Sequence, residues 1–241
     1  MNYDKQKYLL LNNIPKSILG KMLDYNVIIA GGAIRSVFAG EYISDYDLYF
    51  TNEKDLIDTQ KYLHFLDNSE LMFTTENAKT YKIDKLLFQV ILLPSLILPT
   101  AEDIIKHFDF TICMGAYDIN IGAFILHPRF LLDIARRDLV FNVEAKYPLA
   151  SLYRIKKYIE RGYKISGTEI IKIGLAINNL KMGDYTDLKE QLMGIDTLFL
   201  KELTDKLMTP EYAEKKYDLN DFLEMIEQHY SLQIEELFDG I

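Results

Sequence analysis

The chain has a single cysteine, Cys113, and no long hydrophobic run. One cysteine excludes an internal disulfide, which fits a reducing compartment. A bilayer-spanning helix needs about 20 consecutive apolar residues, and no run approaches that length. The N-terminal residues Met1 to Lys5 lack the basic start and apolar stretch of a signal peptide. We therefore expect a cytoplasmic protein with no membrane contact.

Positive charge is also scarce. The 36 Asp and Glu residues outnumber the 27 Lys and Arg residues, which gives a formal net charge of −9. That balance argues against a generally basic nucleic-acid-binding surface. The charge is uneven, because Arg129 to Lys164 contains nine Lys/Arg against four Asp/Glu, whereas Asp205 to the end contains three against ten. Each stretch is either a solvated helix face or a charged interaction surface.

The hydrophobic pattern divides the chain near residue 148. Upstream, short apolar runs alternate with helical segments. Five of the strands predicted there are 71–74, 79–83, 86–92, 112–117 and 121–125. Downstream, helical spacing prevails, near 167–179, 185–193, 196–207 and 217–238. We predict an α/β part at residues 1–147 and a helical domain at residues 148–241. Arg136 and Arg137 are predicted to form local ion pairs with Asp133 and Asp138.

A glycine pair followed by two aspartates is the most informative feature. Gly31 and Gly32 follow an apolar run, and Asp45 and Asp47 enter another. The predicted elements here are a strand over 26–30, a helix over 33–39 and a strand over 46–50. Side chains two apart on a strand share a face, so the carboxylates should project together with Cα atoms about 6–7 Å apart. Such hard oxygen ligands suit Mg²⁺ or Mn²⁺ held with substrate phosphates, which a glycine turn lets backbone N–H groups approach.

This order of strand, Gly-Gly, short helix and Asp-x-Asp resembles the nucleotidyltransferase superfamily of DNA polymerase β. The closer likeness is to the branch of CCA-adding tRNA nucleotidyltransferases and bacterial poly(A) polymerases. The residues that match in order are Gly31, Gly32, Ile34, Arg35, Ser36, Gly40, Asp45 and Asp47. A second block, residues 109–112, reads Asp-Phe-Thr-Ile and matches the core of that branch's Arg-Arg-Asp-Phe-Thr-Ile-Asn-Ala, without the two arginines that contact the nucleotide. The likeness covers roughly residues 25–165.

The resemblance implies an α+β fold, with a polymerase β-like domain built on a mixed sheet and an all-helical C-terminal domain. It also implies transfer of a nucleoside monophosphate from a nucleoside triphosphate (NTP) to a hydroxyl, with an RNA 3′ end as the first acceptor. Asp45 and Asp47 would hold two metal ions. The nucleotide-binding residues would be Gly31, Gly32, Arg35, Ser36, Arg154 and Lys157. The alternative for Arg35 is a surface ion pair. The alternative for Arg154 and Lys157 is a surface helix that binds no ligand.

Many members of the superfamily use a third carboxylate on a neighbouring strand. The predicted strand 86–92 offers Gln89, whose amide cannot act as a base, and its alternative role is a satisfied core amide. Asp84 and Asp109 are possible substitutes. Asp84 lies in a predicted turn, so Asp109 is the favoured third catalytic residue.

Two other functions remain open from the sequence. Without a third carboxylate, the chain would be a catalytically weakened nucleotide-binding protein that acts through partners. A transferase that modifies a protein or a small molecule is the other alternative. The identity of the acceptor, the choice of NTP and the oligomeric state are not determined by these motifs.

Overall fold

The structure is a computed structural model that describes residues 2–192, together with residues 209, 216, 218–224 and 227. Seven strands of this part form one sheet, and two further strands pair with each other. The strands are β1 (Ile28–Ala30), β2 (Tyr46–Tyr49), β3 (Ser69–Thr74), β4 (Ala78–Ile83), β5 (Leu86–Ile91), β6 (Gly115–Asp118), β7 (Ala123–Leu126), β8 (Asp138–Leu139) and β9 (Lys164–Ile165). The helices are α1 (Asp4–Leu11), α2 (Lys16–Asp24), α3 (Gly32–Ala39), α4 (Glu53–Phe65), α5 (Ala101–Ile105), α6 (Phe130–Arg136), α7 (Pro148–Glu160), α8 (Gly167–Asn178) and α9 (Tyr185–Gln191).

The large sheet is mixed, as predicted. Its strand order is β3-β4-β5-β2-β1-β6-β7, and only the β2–β5 pair is parallel among these seven described strands. A parallel pair requires a crossover connection, here the chain through α4, β3 and β4. The central strand β1 is buried, since Ile28, Ile29 and Ala30 are at most 1% exposed. A continuous apolar run is what such a strand, covered on both faces, requires.

Local capping chemistry sets the ends of the helices around the sheet. The Asn52 side chain accepts from the Asp55 N–H at 2.9 Å and caps the N-terminus of α4. Gly40 ends α3 in a left-handed conformation, with φ of 71°. Within the residues described, every helix lacks the length and apolar character that crossing a membrane would need.

Tyr46 anchors β2, the strand that carries Asp47, to α1. Its side chain is 1% exposed, and its hydroxyl donates to the Leu10 carbonyl oxygen at 3.1 Å. Burial, above all, raises the pKa of Tyr46 to about 12. The hydroxyl therefore keeps its proton, and this hydrogen bond, throughout the physiological pH range.

Two predicted elements differ from the structure. The predicted strand 112–117 is interrupted, because Thr111–Cys113 is a 3₁₀ helix and β6 begins only at Gly115. The Thr111 N–H donates to Val140 at 3.0 Å, so this stretch bonds a downstream segment instead of the sheet. The short strand β9 lies in the part predicted to be all-helical, where the Lys164 N–H donates to the Arg137 carbonyl oxygen at 2.8 Å.

Gly115 leaves no space for a side chain in the core. A Cβ atom on Gly115 would lie 2.7 Å from Cε2 of Phe130, a ring that is 0% exposed. We expect Gly115→Ala to lower the free energy of unfolding by about 1–3 kcal/mol through this overlap, as measured by urea denaturation. Gly20→Ala is the matched control, since no atom other than those of its own stretch of helix backbone lies within 4 Å of its Cβ position in α2. It should raise stability by about 0.5–1 kcal/mol, and destabilisation of both variants to the same extent would contradict the steric explanation.

The chain divides into two compact units. One consists of Met1–Lys146 with Ile155–Lys172, and the other of Tyr147–Arg154 with Ile173–Ile241. The predicted domain boundary between residues 147 and 148 stays a prediction. The predicted helix 196–207 lies outside the described residues, as does most of 217–238, of which residues 219–224 are helical.

Candidate functional site

The turn between β1 and α3 has a backbone that favours glycine. Gly31 has φ of 78° and ψ of −125°, a conformation that residues with a side chain rarely adopt. Its N–H donates to the Gly115 carbonyl oxygen at 2.9 Å, and its own carbonyl oxygen accepts from the Arg35 N–H at 3.1 Å. The helix α3 begins at Gly32, so its first N–H groups and the positive end of its dipole lie at this turn. These features favour a bound anion.

The Asp47 carboxylate lies beside the same turn. Strand β2 pairs with β1 so that Asp47 is opposite Ala30, the residue before Gly31. A Cβ atom on Gly31 would lie 3.7 Å from Oδ2 of Asp47 and 3.4 Å from Cε2 of Phe108. The glycine turn, the carboxylate and the aromatic ring therefore border one space.

Asp45 lies just before strand β2, as the predicted strand bounds of 46–50 have it. Strand β2 begins at Tyr46, which pairs with Phe88 of β5, whereas its ladder with β1 starts only at the Ala30–Asp47 pair, where Gly31 turns into α3. The Asp45 carboxylate accepts a hydrogen bond from Ser44 Oγ, and the residue is half-buried. The predicted strand spacing therefore does not apply to the two aspartates, although they remain two residues apart at the same end of β2.

Gln89 is the strand neighbour of Asp47 on the other side. In the parallel β2–β5 ladder Gln89 is opposite Asp47, and β4 places Thr80 beside Gln89. Residues opposite each other in a ladder project from the same face of the sheet, so the half-buried amide of Gln89 shares the face of the Asp47 carboxylate. The structure thus places a neutral group where the resemblance implies a third carboxylate.

The two predicted substitutes, Asp84 and Asp109, have hydrogen-bond partners in the protein. Asp84 lies in the turn between β4 and β5, with φ of 55°, and accepts from the Asn68 side chain at 3.3 Å. Asp109 is 7% exposed, and its Oδ1 accepts from the Phe110 N–H at 2.9 Å. Among the residues that the structure describes, no three His, Cys, Asp or Glu side chains form a group that could hold a metal ion. The role of Asp109 as a third catalytic carboxylate stays a prediction.

Arg35 and Ser36 have partners in the protein interior. The Arg35 side chain is 2% exposed, and Nη2 donates to Ser36 Oγ at 3.0 Å and pairs with Oε2 of Glu41 at 3.2 Å. The guanidinium also lies over the Tyr158 ring, 5.5 Å from its centroid. Arg35 is thus buried, and the alternative of a surface ion pair is wrong. Through its pair with Glu41, Arg35 holds the segment between α3 and Asp45 against the interior.

Other charged pairs differ from the sequence prediction. Arg137 pairs with Oε1 of Glu41 at 3.0 Å, and Asp133 pairs with Arg129 at 2.8 Å. The predicted pairing of Arg137 with Asp133 or Asp138 is therefore wrong. Glu41 forms ion pairs with two arginines that are far apart in the chain, Arg35 and Arg137, and no periodicity or motif indicates such long-range pairing.

The two predicted basic contacts lie on α7. Lys157 is exposed and Arg154 is half-buried. Their roles in nucleotide binding, like those of Gly32 and Ser36, stay predictions.

The fold is that of a polymerase β-like nucleotidyltransferase. A CCA-adding enzyme in complex with CTP is 16% identical and has a TM-score of 0.53, with 95% of this chain and 55% of that chain covered. The Thermotoga maritima CCA-adding enzyme complexed with tRNA_CCA is also 16% identical and has a TM-score of 0.51. The match covers 84% of this chain and 53% of that chain. Likeness at this identity shows the fold alone. It confirms the predicted α+β fold class and the predicted polymerase β-like fold, which the chain shares with CCA-adding enzymes.

The particular family follows from the sequence. The family model of Gabija anti-defense 2 proteins matches residues 2–137. This stretch includes Gly31, Asp47 and Phe108, the residues that border the candidate site. The chain belongs to this family. Gabija anti-defense 2 of Bacillus phage SPbetaL7 is 32% identical over 247 residues, with 99% of this chain and 60% of that relative covered. The chain therefore spans about 60% of the length of this curated relative.

Proposed function

We propose that this chain is a metal-dependent nucleotidyltransferase that moves a nucleoside monophosphate from an NTP to a hydroxyl group. The observation that carries the proposal is the space shared by the Gly31 turn and the Asp47 carboxylate, whose Oδ2 is 3.7 Å from the Gly31 Cβ position. A triphosphate is held by backbone N–H groups at a helix N-terminus and by a cation. This space offers the N–H groups and the Asp47 carboxylate as a ligand for the cation.

The donor groups fit Mg²⁺ or Mn²⁺. Asp45 and Asp47 supply carboxylate oxygens from partly accessible positions, and oxygen ligands of this kind suit these ions. Bound there with the substrate phosphates, the ion would stabilise the charge that develops during phosphoryl transfer.

The chain's own residues orient the triphosphate. Gly31 leaves room for the phosphates to reach the N-terminus of α3. The buried Arg35 contacts Ser36 of α3 and Glu41, and so holds α3 and the residues that follow it in place. The acceptor oxygen then bonds to the α-phosphorus while the bond to pyrophosphate breaks. The acceptor proton passes to a site carboxylate or to solvent, because Gln89 cannot accept it. Lys157 and Arg154 are proposed phosphate contacts.

An RNA 3′ end is the first candidate acceptor. The support is the fold shared with CCA-adding enzymes, one of which is named as a complex with tRNA. A hydroxyl on a protein of the opposing defence is the second candidate, and the family name, Gabija anti-defense 2, favours it. The alternative of a weakened nucleotide-binding protein rests on Gln89 at the position beside Asp47.

Labelled nucleotides distinguish these functions. The chain is incubated with each α-labelled NTP and Mg²⁺, first with total RNA and then with an extract of cells that carry the Gabija defence. Label in RNA supports the first acceptor, and label in a protein band that requires the defence supports the second. Absence of label in every arm, with NTP binding retained, would identify the weakened binding protein instead.

Gln89 gives a gain-of-function prediction. Gln89→Glu adds a carboxylate beside Asp47 while keeping the side-chain size, so the site gains negative charge for a divalent cation. We expect the Mg²⁺ concentration for half-maximal activity to fall by about tenfold, which is about 1.4 kcal/mol of binding free energy. Transfer activity measured as a function of Mg²⁺ concentration tests this change. If transfer is undetectable, NTP binding is measured over the same Mg²⁺ concentrations. Gln60→Glu, on α4, is the control, and an unchanged Mg²⁺ requirement for Gln89→Glu would contradict the placement of Gln89 at the site.

A further inference from the structure

Phe108 borders the space around Gly31 and Asp47, and the proposed reaction gives it no role. Its Cε2 and Cζ atoms lie 3.4 Å and 4.0 Å from the Cβ position of Gly31. The side chain is half-buried, so part of the ring remains accessible. A group bound over the Gly31 turn, with its phosphates at α3, meets this edge of the ring.

The ring is held in place from behind. Its centroid lies 5.6 Å from that of the Tyr49 ring, at an interplanar angle of 48°. It also packs against the apolar cluster that contains Ile104 and Ile105 of α5. These contacts restrict the ring before any ligand binds, which lowers the entropic cost of a contact with a ligand.

Asn142 fixes the backbone of the same segment. Its side-chain amide donates to the carbonyl oxygens of Lys106 at 2.7 Å and Phe108 at 2.8 Å. Its own N–H donates to the Asp109 carbonyl oxygen at 2.7 Å. Three hydrogen bonds from one residue therefore hold residues 106–109, and with them the position of the Phe108 ring relative to the turn.

The chemistry of the ring limits what it can recognise. Phenylalanine has no hydrogen-bond donor or acceptor and no charge, so it cannot read the edge of a base or pair with a phosphate. An aromatic ring does contact sugars and stacks on bases, and stacking tolerates any base because each has a π-face. The positive edge of the ring is also compatible with the Asp47 carboxylate nearby.

We propose that Phe108 is a nucleotide-contacting residue that holds the nucleoside part of the NTP against the Gly31 turn by apolar contact. The contact adds affinity without selecting the base, so ATP, CTP, GTP and UTP gain similarly from it. This inference rests on the proposed function, because it assumes that the triphosphate binds at Gly31 and Asp47.

Calorimetric titration of each NTP in Mg²⁺ tests the proposal. We expect Phe108→Ala to weaken binding of all four NTPs by about tenfold, within the range for removing a ring that stacks on a nucleoside. The ratio of wild-type to variant affinity should be the same at about 50 mM and about 500 mM NaCl, since screening acts on charges and leaves apolar contacts nearly unchanged. Phe108→Leu, which preserves apolar volume and protects the fold, should lose only about threefold.

Phe65→Ala is the matched control, because that ring is 78% exposed at the end of α4 and should leave NTP affinity unchanged. Equal affinity of wild type and both Phe108 variants would overturn this inference and leave the nucleotide site intact. A loss confined to one or two NTPs, or one that disappears at high salt, would also overturn it. No NTP binding by the folded wild-type chain would overturn the proposed function itself.

Discussion

Replacing Asp45 and Asp47 together by asparagine is expected to reduce Mg²⁺-dependent nucleotidyl transfer by at least about a thousandfold, or about 4 kcal/mol of transition-state stabilisation. The amides keep the size of the side chains but remove both negative charges that would bind the cation. The Gly31 turn is unchanged, so the chain keeps its α3 N-terminus and loses mainly the metal-dependent part of triphosphate binding. Transfer of α-labelled nucleotide, followed over time at saturating Mg²⁺, measures the loss.

The control for this variant is Asp58→Asn. Asp58 lies on α4 and forms an exposed ion pair with Lys54 at 2.8 Å, and exposed pairs contribute less than about 1 kcal/mol to stability. Its removal should leave transfer unchanged. Thermal unfolding of both variants checks that the fold persists. Wild-type transfer by a folded Asp45→Asn, Asp47→Asn variant would refute the assignment of the site.

Arg35→Ala is expected to lower the free energy of unfolding by about 3 kcal/mol, at the lower end of the range for breaking a buried ion pair. The change removes the partner of Ser36 Oγ and the cation over the Tyr158 ring, and it opens space in the interior. The cost stays at the lower end because Glu41 is 24% exposed and keeps its pair with Arg137. Urea denaturation followed by circular dichroism measures the change.

The same variant separates two roles of Arg35. If Arg35 binds phosphate, its removal should weaken NTP affinity and leave the free energy of unfolding nearly unchanged. If Arg35 is structural, its removal should lower the free energy of unfolding and leave NTP affinity nearly unchanged at temperatures where the variant is folded. Lys21→Ala is the control, because Lys21 forms an exposed pair with Asp24 at 3.0 Å and should cost less than about 0.5 kcal/mol. Loss of NTP affinity without loss of stability would support the predicted role of Arg35 in nucleotide binding and contradict a purely structural one.

Local features of the sequence predicted much of the fold around the site. The apolar run before Gly31 became a buried central strand, Gly40 ended α3, and the side chain of Asn52 capped α4. These elements depend on hydrophobic periodicity and on capping within a few residues, which a sequence displays directly. The predicted alignment of Asp47 with the Gly31 turn rests on the same local order of strand, turn, helix and strand.

Properties that depend on distant partners were not predictable in this way. The sequence predicts that Arg35 binds the nucleotide or forms a surface ion pair, whereas the structure buries it beside Glu41 and Tyr158. Thr111 sits in an apolar stretch typical of a strand, but its hydrogen bond to Val140 bends that stretch into a 3₁₀ helix. Each outcome is decided by a residue that no local pattern identifies.

The sequence by itself determined the class of fold, the glycine turn and the acidic pair, because spacing and residue type are sufficient to specify a turn that admits phosphates and ligands that suit Mg²⁺. Only the tertiary structure decided what surrounds them. Strand register put Gln89 beside Asp47, and hydrogen bonds from Asn142 placed the Phe108 segment at the Gly31 turn. Register and long-range hydrogen bonds are set by the packing of the whole sheet, and they determine which groups a bound nucleotide would meet.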